Sequence, residues 1–197
     1  MLPHEQLLRS YKGKRVLITG HTGFKGCWLT LLLLQLGAKV SGLSLPPHTN
    51  PNLFSLLSLE KRMHSHVVDI RHSEQLQTVM QKEEPEIVFH LAAQSLVHAS
   101  FLDPVGTWMT NTVGTLHLLE AVRKSPTVSA CVCITTDKVY APKNSPHSET
   151  DPLGGKDPYS ASKAASELLI ASYRSSFFNN NITLSSARAG NVLGGGD

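Results

Sequence analysis

Residues 15–26 read Arg15-Val16-Leu17-Ile18-Thr19-Gly20-His21-Thr22-Gly23-Phe24-Lys25-Gly26. The first five are typical of a buried strand, and the apolar run at residues 28–36 predicts that a helix follows. The three evenly spaced glycines let the backbone turn tightly and approach a diphosphate, while the new helix offers free N–H groups to negative charge. This order predicts a dinucleotide-binding unit, with a structural turn that binds no ligand as the alternative.

Strand and helix patterns alternate along the rest of the chain. Such alternation predicts an α/β fold, a Rossmann-type doubly wound parallel sheet with helices on both faces, in one domain. Loops at residues 45–51 and 141–156 are expected to border a ligand cleft. Strands are predicted near residues 15–19, 39–43, 66–69, 87–91, 130–135 and 183–187, and helices near 25–36, 73–82, 105–124 and 159–177.

A second informative segment, residues 158–163, reads Pro-Tyr-Ser-Ala-Ser-Lys at the predicted start of a helix. Tyr159 and Lys163 are four residues apart and therefore lie on one helical face. A nearby cation favours the charged form of a phenol, so we expect Lys163 to lower the pKa of Tyr159. The predicted chemistry is removal of a proton from an alcohol, with Tyr159 as the base.

Composition narrows the classes of function. The chain has 197 residues, of which 41% are hydrophobic and 17% charged, enough for one substantial core. A net charge of +3, without a basic block interleaved with aromatic residues, argues against a nucleic-acid partner. The longest apolar run is too short to span a membrane, and residues 1–14 lack the apolar centre of a signal peptide. No membrane partner is expected, and the cytoplasm is the predicted location.

The cysteines and histidines predict neither disulfides nor metal. Cys27, Cys131 and Cys133 lack the Cys-x-x-Cys spacing and are expected to be buried packing residues, with the last two on one face of a strand. The ten histidines are scattered. The segment at residues 64–66, His-Ser-His, is interpreted as a polar turn before a strand, and no metal site is predicted.

The glycine spacing, followed by Tyr159 and Lys163, resembles the extended short-chain dehydrogenase/reductase family over essentially the whole chain. Further segments carry the resemblance in the family's order: Asp69-Ile70, Leu91-Ala92-Ala93-Gln94, Asn111-x-x-Gly114-Thr115 and Arg188-Ala189-Gly190-Asn191-Val192-Leu193-Gly194. The resemblance implies that the cofactor is bound by Gly20, His21, Gly23, Phe24, Lys25, Gly26, Asp69, Ile70, Leu91, Ala92, Ala93, Tyr159 and Lys163.

The second predicted strand ends at Ser44 without the acidic residue that usually holds the ribose hydroxyls of NAD. No arginine follows to neutralise the 2′-phosphate of NADP either. NAD is therefore the expected cofactor. His21 and Lys25 are expected near its phosphates, although Lys25 also fits a solvated residue of the first helical turn.

The Thr136-Asp137-Lys138 segment resembles the sugar-nucleotide 4,6-dehydratases of this family. The resemblance implies that Thr136 hydrogen-bonds the sugar hydroxyl that Tyr159 deprotonates, and that Asp137 protonates the departing C6 hydroxyl if burial raises its pKa. Lys138 stands where many dehydratases carry glutamate, a pattern similar to those that act on CDP-glucose. With a pKa lowered by burial Lys138 is the C5 base; otherwise it binds a phosphate or carboxylate.

The implied reaction converts CDP-glucose to CDP-4-keto-6-deoxyglucose, a step of deoxysugar and O-antigen biosynthesis. It proceeds by oxidation at C4, loss of water across C5 and C6, and return of the hydride to C6. The alternatives are a nucleotide-sugar 4-epimerase and a truncated NAD-binding fragment without catalysis. The predicted catalytic residues are Thr136, Asp137, Lys138, Tyr159 and Lys163, and the predicted substrate-binding residues are Gln94, Thr136 and Asn191.

Two further expectations rest on the resemblance. The chain ends at residues 194–197, where family members continue into a smaller domain that reads the nucleotide. Residues 1–197 are thus expected to be the NAD-binding domain, with most of the substrate domain absent. A homodimer is expected through the helices at 105–124 and 159–177 if their outer face is apolar. The periodicity permits such a face, although both helices must also cover the sheet; its residues are Leu116, Leu119, Val122, Leu168, Leu169 and Ala171. A loop at residues 141–153 that is short and poor in aromatics leaves a related nucleotide sugar open as substrate.

Overall fold

A computed structural model of the chain describes residues 4–178 and 182–196; residues 1–3, 179–181 and 197, including the predicted chain end at Asp197, lie outside the description. The strands are β1 (Arg15–Thr19), β2 (Lys39–Ser44), β3 (His64–Val67), β4 (Ile87–His90), β5 (Ala130–Thr136) and β6 (Thr183–Ala189). The helices are α1 (His4–Tyr11), α2 (Phe24–Gln35), α3 (Leu53–Leu56), α4 (Ser73–Glu83), α5 (Val97–Leu102), α6 (Pro104–Trp108), α7 (Gly114–Lys124) and α8 (Pro158–Ser176).

The strands form one parallel sheet in the order β3-β2-β1-β4-β5-β6. The order reverses between β1 and β4, so the connections after these two strands leave on opposite faces of the sheet. Ligands of doubly wound sheets bind at such a point, outside the carboxyl ends of the strands. The predicted fold class is confirmed, and this edge collects the glycine turn, the segment after β4 and the turn after β5.

Alternation along the strands divides the core into two layers. In β1, Leu17 faces a cluster that includes Leu118 and Ile170 of α7 and α8. Val16 and Ile18 face the other cluster, which includes Leu33 of α2. All six are essentially inaccessible to solvent. A central strand buried on both faces reads as a continuous apolar run, which is why β1 was recognisable in the sequence.

The glycine turn holds α2 close to the end of β1. Gly20 has a φ of +75°, and its N–H donates to the Leu43 carbonyl at 2.8 Å. A β-carbon added to Gly26 would overlap the Gly20 carbonyl oxygen. The first turn of α2 therefore packs directly against the turn, and its N-terminus points at the carboxyl edge of the sheet.

The third strand differs from the prediction, because β3 begins at His64 and the segment interpreted as a polar turn belongs to the strand. His64 Nδ1 and His66 Nε2 contact the two carboxylate oxygens of Glu83 at 3.0 and 2.8 Å. An edge strand pairs on one side and can carry polar residues, so the apolar signal expected of a strand is missing. The short helices α1, α3 and α5 were not predicted.

The predicted partner face is also wrong in part. Leu119 and Val122 are fully buried in the core, and Leu116 and Leu169 pack against it, because the apolar stripe of each helix covers the sheet. Leu168 and Ala171 are exposed as expected. The large exposed apolar side chains on this side belong to neighbouring elements and include Phe101, Leu102, Val105, Trp108 and Met109.

The remaining expectations concern cysteines, metals and membranes. Cys27, Cys131 and Cys133 are free and buried, as predicted. Within residues 4–178 and 182–196, no group of three or more His, Cys, Asp or Glu side chains is arranged to hold a metal ion. Among the helices of the described ranges, none combines the length and apolar character needed to cross a membrane.

Candidate active site

The start of α8 is fixed by its cap. Asp157 accepts a hydrogen bond from the Ser160 N–H at 2.9 Å, and Pro158 occupies the first helical position, where its fixed φ favours initiation. Tyr159 therefore lies in the first turn and Lys163 one turn later, on the face toward β5. Their exposed fractions are 9% and 5%.

Lys163 is held by the backbone of β5. Its ammonium donates to the Ile134 carbonyl at 2.8 Å. Burial lowers the pKa of Lys163 to about 8, and the positive charge of Lys25 acts in the same direction. The residue thus exchanges its proton much closer to neutrality than an exposed lysine.

The Tyr159 phenol has a pKa above its usual value, chiefly because it is buried, with the charges of Asp137 and Asp157 adding to the increase. The nearby hydroxyl of Thr136 works in the opposite direction. The expected lowering of this pKa by Lys163 is not found, because the ammonium is directed at the Ile134 carbonyl.

Four of the five predicted catalytic residues lie in one line. The Thr136 hydroxyl lies beside the Tyr159 phenol and donates to Asp137 Oδ1 at 3.1 Å. The Lys138 ammonium lies 3.4 Å from the same carboxylate oxygen. This line extends from the start of α8 to the 3-10 turn Asp137–Val139 that follows β5. The structure therefore brings the predicted base, hydroxyl, acid and amine together.

The burial expected of Asp137 and Lys138 is not present. Their side chains are 55% and 43% exposed, because the 3-10 turn projects beyond the sheet. Neither side chain is therefore withdrawn from water. Gly190 approaches the carboxylate from β6, where an added β-carbon would lie 3.5 Å from Asp137 Oδ2.

His90, at the end of β4, is a site residue that the sequence analysis missed. Its Nδ1 lies 2.7 Å from Thr19 Oγ1, and its Nε2 lies 2.9 Å from Thr115 Oγ1. Because Thr115 donates its own proton to the Asn111 carbonyl at 2.6 Å, it accepts from His90, which assigns the proton to Nε2. Burial lowers the pKa of His90 to about 3, so the ring is neutral.

This tautomer fixes the segment after β4. With Nδ1 free to accept, Thr19 donates to His90 and its oxygen accepts from the N–H groups of Leu91 and Ala92, both at 3.1 Å. The same hydroxyl therefore ties the glycine turn to the predicted cofactor-contacting residues. A polar residue ending an otherwise apolar strand was the available signal for His90.

Asn111 ties this segment to α8. It lies in the π-helical turn Met109–Val113. Its side chain accepts from the Gln94 N–H at 2.8 Å and donates to the Gln94 carbonyl at 3.0 Å and to Ser162 at 2.9 Å. Ser166 donates to the Asn111 carbonyl at 2.9 Å. The helix carrying Tyr159 and Lys163 is thus positioned against the segment after β4.

A cavity of about 740 Å³ opens along one side of α2, from Phe24 and Lys25 next to the glycine turn to Gln35, and is also lined by Leu91, Ile134 and the chain at the end of β6 and after it. Burial lowers the pKa of Lys25. The predicted cofactor residues Gly20, Gly23, Gly26, Leu91, Ala92 and Ala93 border the carboxyl edge of the sheet, in the turn after β1, the first turn of α2 and the segment after β4.

Three predicted cofactor residues have side chains that are buried or already paired. The His21 side chain packs below the turn, with Nε2 at 2.7 Å from Ser65 Oγ and the ring against Phe54, and burial lowers its pKa to about 4. A neutral, buried imidazole does not reach a phosphate, which leaves its backbone for that role. Ile70 is a core residue packed against Gly114. Asp69 is paired with Arg71, whose Nη2 lies 2.6 Å from the carboxylate.

The other predicted substrate-binding residues, Gln94 and Asn191, are less well positioned for a ligand than Thr136. The Gln94 amide is used within its own segment, where it donates to Leu96 O at 3.1 Å and Thr107 Oγ1 at 3.0 Å and accepts from the Leu96 N–H at 2.6 Å. Its side chain is therefore not free to bind a sugar in this conformation. Asn191 is exposed after Gly190, on the side of the turn that carries Asp137.

Solved structures confirm the architecture around this site. A UDP-glucose 4-epimerase from Thermus thermophilus, in complex with NAD, matches with a TM-score of 0.77 and 32% identity over 88% of this chain and 54% of its own. An epimerase from Methanothermobacter thermautotrophicus matches with a TM-score of 0.82 and 27% identity over 98% of this chain and 56% of its own.

The sequence comparisons agree. The CDP-glucose 4,6-dehydratase of Salmonella typhimurium is 47% identical over 195 residues, which cover 95% of this chain and 54% of the relative. The chain thus spans about half the length of the curated relatives it matches. Residues 17–192 match the GDP-mannose 4,6 dehydratase family. The resemblance to extended short-chain dehydrogenases/reductases is confirmed, and the chain belongs to the GDP-mannose 4,6 dehydratase family.

Proposed function

We propose that the chain carries the cofactor site and catalytic residues of a sugar-nucleotide 4,6-dehydratase, with CDP-glucose as its substrate. The observation that carries this proposal is the close placement of Tyr159, Thr136, Asp137 and Lys138, the last three of which contact one another through the Asp137 carboxylate. A 4-epimerase requires the first two residues, whereas elimination of water also requires an acid and a base beside them. The 47% identity to a CDP-glucose 4,6-dehydratase supports the same choice.

The cofactor proposed is NAD. The residues fit a dinucleotide, because Gly20 and Gly26 bring the backbone to the N-terminus of α2 and the adjoining cavity reaches Ile134, whose carbonyl binds Lys163. Asp69 has its carboxylate at the end of β3, where the adenosine half is expected. When bound, NAD supplies the acceptor and donor of the hydride. The chain's residues orient the sugar and move its protons.

In the proposed reaction Tyr159 removes the proton of the C4 hydroxyl, and Thr136 orients that hydroxyl by a hydrogen bond. Lys163 holds the nicotinamide ribose and, once a ligand draws its ammonium from Ile134, lowers the pKa of the phenol. Asp137 gives a proton to the departing C6 hydroxyl while Lys138 takes the C5 proton. When the hydride adds to C6, Lys138 returns its proton to C5, and the proton that Tyr159 removed from the C4 hydroxyl passes through solvent to restore Asp137. Because the hydride returns to C6, the cofactor ends in its initial state.

Asp137 and Lys138 need a drier environment than the chain gives them. We propose that the bound sugar provides it, since a ligand seated beside Thr136 and Gly190 would exclude water from both side chains. If Lys138 stays charged, it binds a substrate phosphate and another base takes the C5 proton. The domain assignment proposed is that residues 1–197 form the NAD-binding domain and the nucleotide base is read elsewhere.

A second candidate is a cofactor-binding fragment without turnover, which the coverage of about half of each relative favours. The test is incubation of the 197-residue chain with NAD and CDP-glucose, followed by mass analysis of the sugar nucleotide. Loss of one water supports the dehydratase. A product of unchanged mass with inverted C4 would indicate an epimerase, and NAD binding without conversion would indicate the fragment.

A homodimer is proposed through the exposed apolar residues on α5, α6 and α8, because these helices pack together and leave Leu102, Val105 and Leu168 uncovered. Val105→Asp is expected to shift the chain from dimer to monomer in analytical ultracentrifugation. Leu45→Asp, an exposed apolar residue after β2, is the control and should leave the dimer intact. A monomeric wild-type chain would contradict this interface.

Replacing the predicted base provides the sharpest test of mechanism. Tyr159→Phe should reduce dehydration by about a thousandfold or more, since it removes general-base catalysis and the hydroxyl's partner. Titration calorimetry should show NAD affinity within about threefold of wild type, because the ring remains in place. Tyr11→Phe, on α1 away from the site, is the control. Turnover retained in Tyr159→Phe would overturn the assignment.

The lowered pKa of Lys163 predicts a pH-dependent stability. Below pH 8 both the folded and unfolded states hold the proton; between pH 8 and 10.5 only the unfolded state does. The free energy of unfolding of wild type should therefore rise with pH across this window relative to Lys163→Met, by about 3 kcal/mol in total. Urea unfolding checks this, with Lys156→Met, in an exposed loop, as control. Parallel pH profiles would contradict the burial of a chargeable lysine.

The His90 network predicts an effect on cofactor binding. His90→Phe leaves the Thr19 and Thr115 hydroxyls without their buried partner, at a cost of about 1–3 kcal/mol in stability. The segment after β4 should then loosen and NAD affinity should fall by about tenfold, measured by calorimetry at a temperature where the variant is folded. His98→Phe, on the exposed side of α5, should bind NAD normally. If a destabilised His90→Phe variant binds NAD with normal affinity, His90 contributes to packing and not to the cofactor site.

A further inference from the structure

The segment at residues 140–154, here named the 140–154 loop, leaves and re-enters the candidate site. It begins directly after the Asp137–Val139 turn, and the Gly154 N–H donates to the Val139 carbonyl at 2.8 Å. Tyr140 also pairs with Leu153 in an antiparallel bridge. Gly155, the next residue, packs against the first turn of α8, where an added β-carbon would overlap the Ala161 nitrogen. Both ends of the loop therefore touch elements that carry catalytic residues.

The loop is folded upon itself. Asp151 accepts from the Ser148 N–H and hydroxyl, each at 3.0 Å, and pairs with Lys143 and with His147. The His147 ring stacks on Tyr140 with a centroid distance of 4.5 Å and an interplanar angle of 7°. These contacts make the loop one compact unit, so that its position relative to the sheet depends on how the unit is attached.

Arg188 of β6 attaches this unit to the sheet. Its Nη1 donates to the Tyr140 hydroxyl at 3.0 Å and to the Glu149 carbonyl at 2.9 Å, and its guanidinium lies 4.9 Å from the centroid of the Tyr140 ring. Its Nη2 donates to Glu167 at 2.9 Å. One planar group thus contacts the beginning of the loop, its middle and the helix α8.

Glu167 of α8 holds the guanidinium of Arg188 in place. The carboxylate is 4% exposed and also accepts from Thr135 and, at 2.9 Å, from Ser186. Burial alone would raise the pKa of Glu167, but the hydrogen bonds from Arg188, Thr135 and Ser186 outweigh it and hold that pKa below its usual value. Glu167 lies one helical turn after Lys163, and Thr135 precedes Thr136. The ion pair therefore adjoins the catalytic line without belonging to it.

We infer that Arg188, supported by Glu167, is a positioning residue that holds the 140–154 loop in place as one wall of the sugar site. The inference rests on the proposed function for the identity of the ligand, since the loop borders a sugar only if that function is correct. The attachment itself follows from the contacts. A guanidinium is required because its fork reaches the carboxylate and two loop oxygens at once, which an ammonium at the end of a longer flexible stem cannot do.

The experiment compares Arg188→Lys with Arg123→Lys. Arg123 is a matched control, because it also forms a two-bonded pair with a glutamate, Glu120, and lies over an aromatic ring, Phe177, on the far part of the helical layer. Limited trypsin digestion at Lys143 and hydrogen exchange of the loop report its attachment. Cleavage and exchange should rise by about tenfold in Arg188→Lys, as expected from losing two hydrogen bonds, and stay unchanged in Arg123→Lys.

Kinetics tests the role in binding. In Arg188→Lys the KM for CDP-glucose should rise by about tenfold with a smaller change in kcat, and the affinity for NAD should remain within about twofold. A fall in kcat of about tenfold with an unchanged KM would overturn the assignment of the loop as a wall of the sugar site. Loop protection that is unchanged in Arg188→Lys would overturn the attachment.

A second variant covers failure of Arg188→Lys to fold. Tyr140→Phe keeps the Arg188–Glu167 pair and the stack with His147 but removes one hydroxyl contact. Loop exchange should then rise by about threefold to fivefold while thermal stability of the rest of the chain is retained. Unchanged exchange in this variant counts against the attachment. If the chain dehydrates no nucleotide sugar, the proposed function fails, and the proteolysis and exchange results still decide whether Arg188 holds the loop.

Discussion

The hydroxyl of Thr19 joins the two halves of the sheet at the point where the strand order reverses. It donates to His90 at 2.7 Å and accepts from the N–H groups of Leu91 and Ala92 at 3.1 Å. A single side chain therefore satisfies the Ala92 N–H and gives a second acceptor to the Leu91 N–H, which also donates to the Thr19 carbonyl at 3.1 Å. The hydroxyl can do this only while His90 Nδ1 carries no proton. Burial of His90 ensures this, and the glycine turn and the segment after β4 consequently keep a fixed separation.

Paired buried polar groups also connect the segment after β4 to α8. Asn111 uses its amide to hold Gln94 and Ser162, and its carbonyl accepts from both Thr115 and Ser166. A π-helical turn places this residue where one side chain can reach two elements, at the cost of regular helical bonding. Polar groups in a low-dielectric interior are stable when all are paired, and such a network also excludes alternative packings. The precision of Tyr159 and Lys163 thus depends on residues that never face the cleft.

Sequence patterns were sufficient for the main elements and much less so for the site. The bounds of the six strands and of α2, α4 and α8 lie within about two residues of those predicted, because apolar periodicity and glycine spacing are local properties. The predicted helix at 105–124 is divided into α6, a π-helical turn and α7. Other features depend on contacts between residues that are distant in sequence. They are the tautomer of His90, the pairing of Arg188 with Glu167 and the buried position of the His21 side chain. The partner face was misassigned for a related reason, since one apolar stripe on a helix fits both a core and an interface.

The site has two parts whose ionisable groups lie in different environments. Tyr159 and Lys163 are buried, whereas Asp137 and Lys138 are half exposed. Burial raises the pKa of Tyr159 and lowers that of Lys163, so the chain disfavours charge on both, and a base forms there only when a ligand changes their surroundings. Asp137 and Lys138 are instead half exposed, where an adjacent pair of charges is screened by water and contributes little. An acid and a base in contact with water would simply exchange protons with it. Elimination therefore requires that the sugar arrive between them and displace this water. The wall attached by Arg188 lies where such a displacement would be enclosed, since its ends flank both the acid turn and the tyrosine helix.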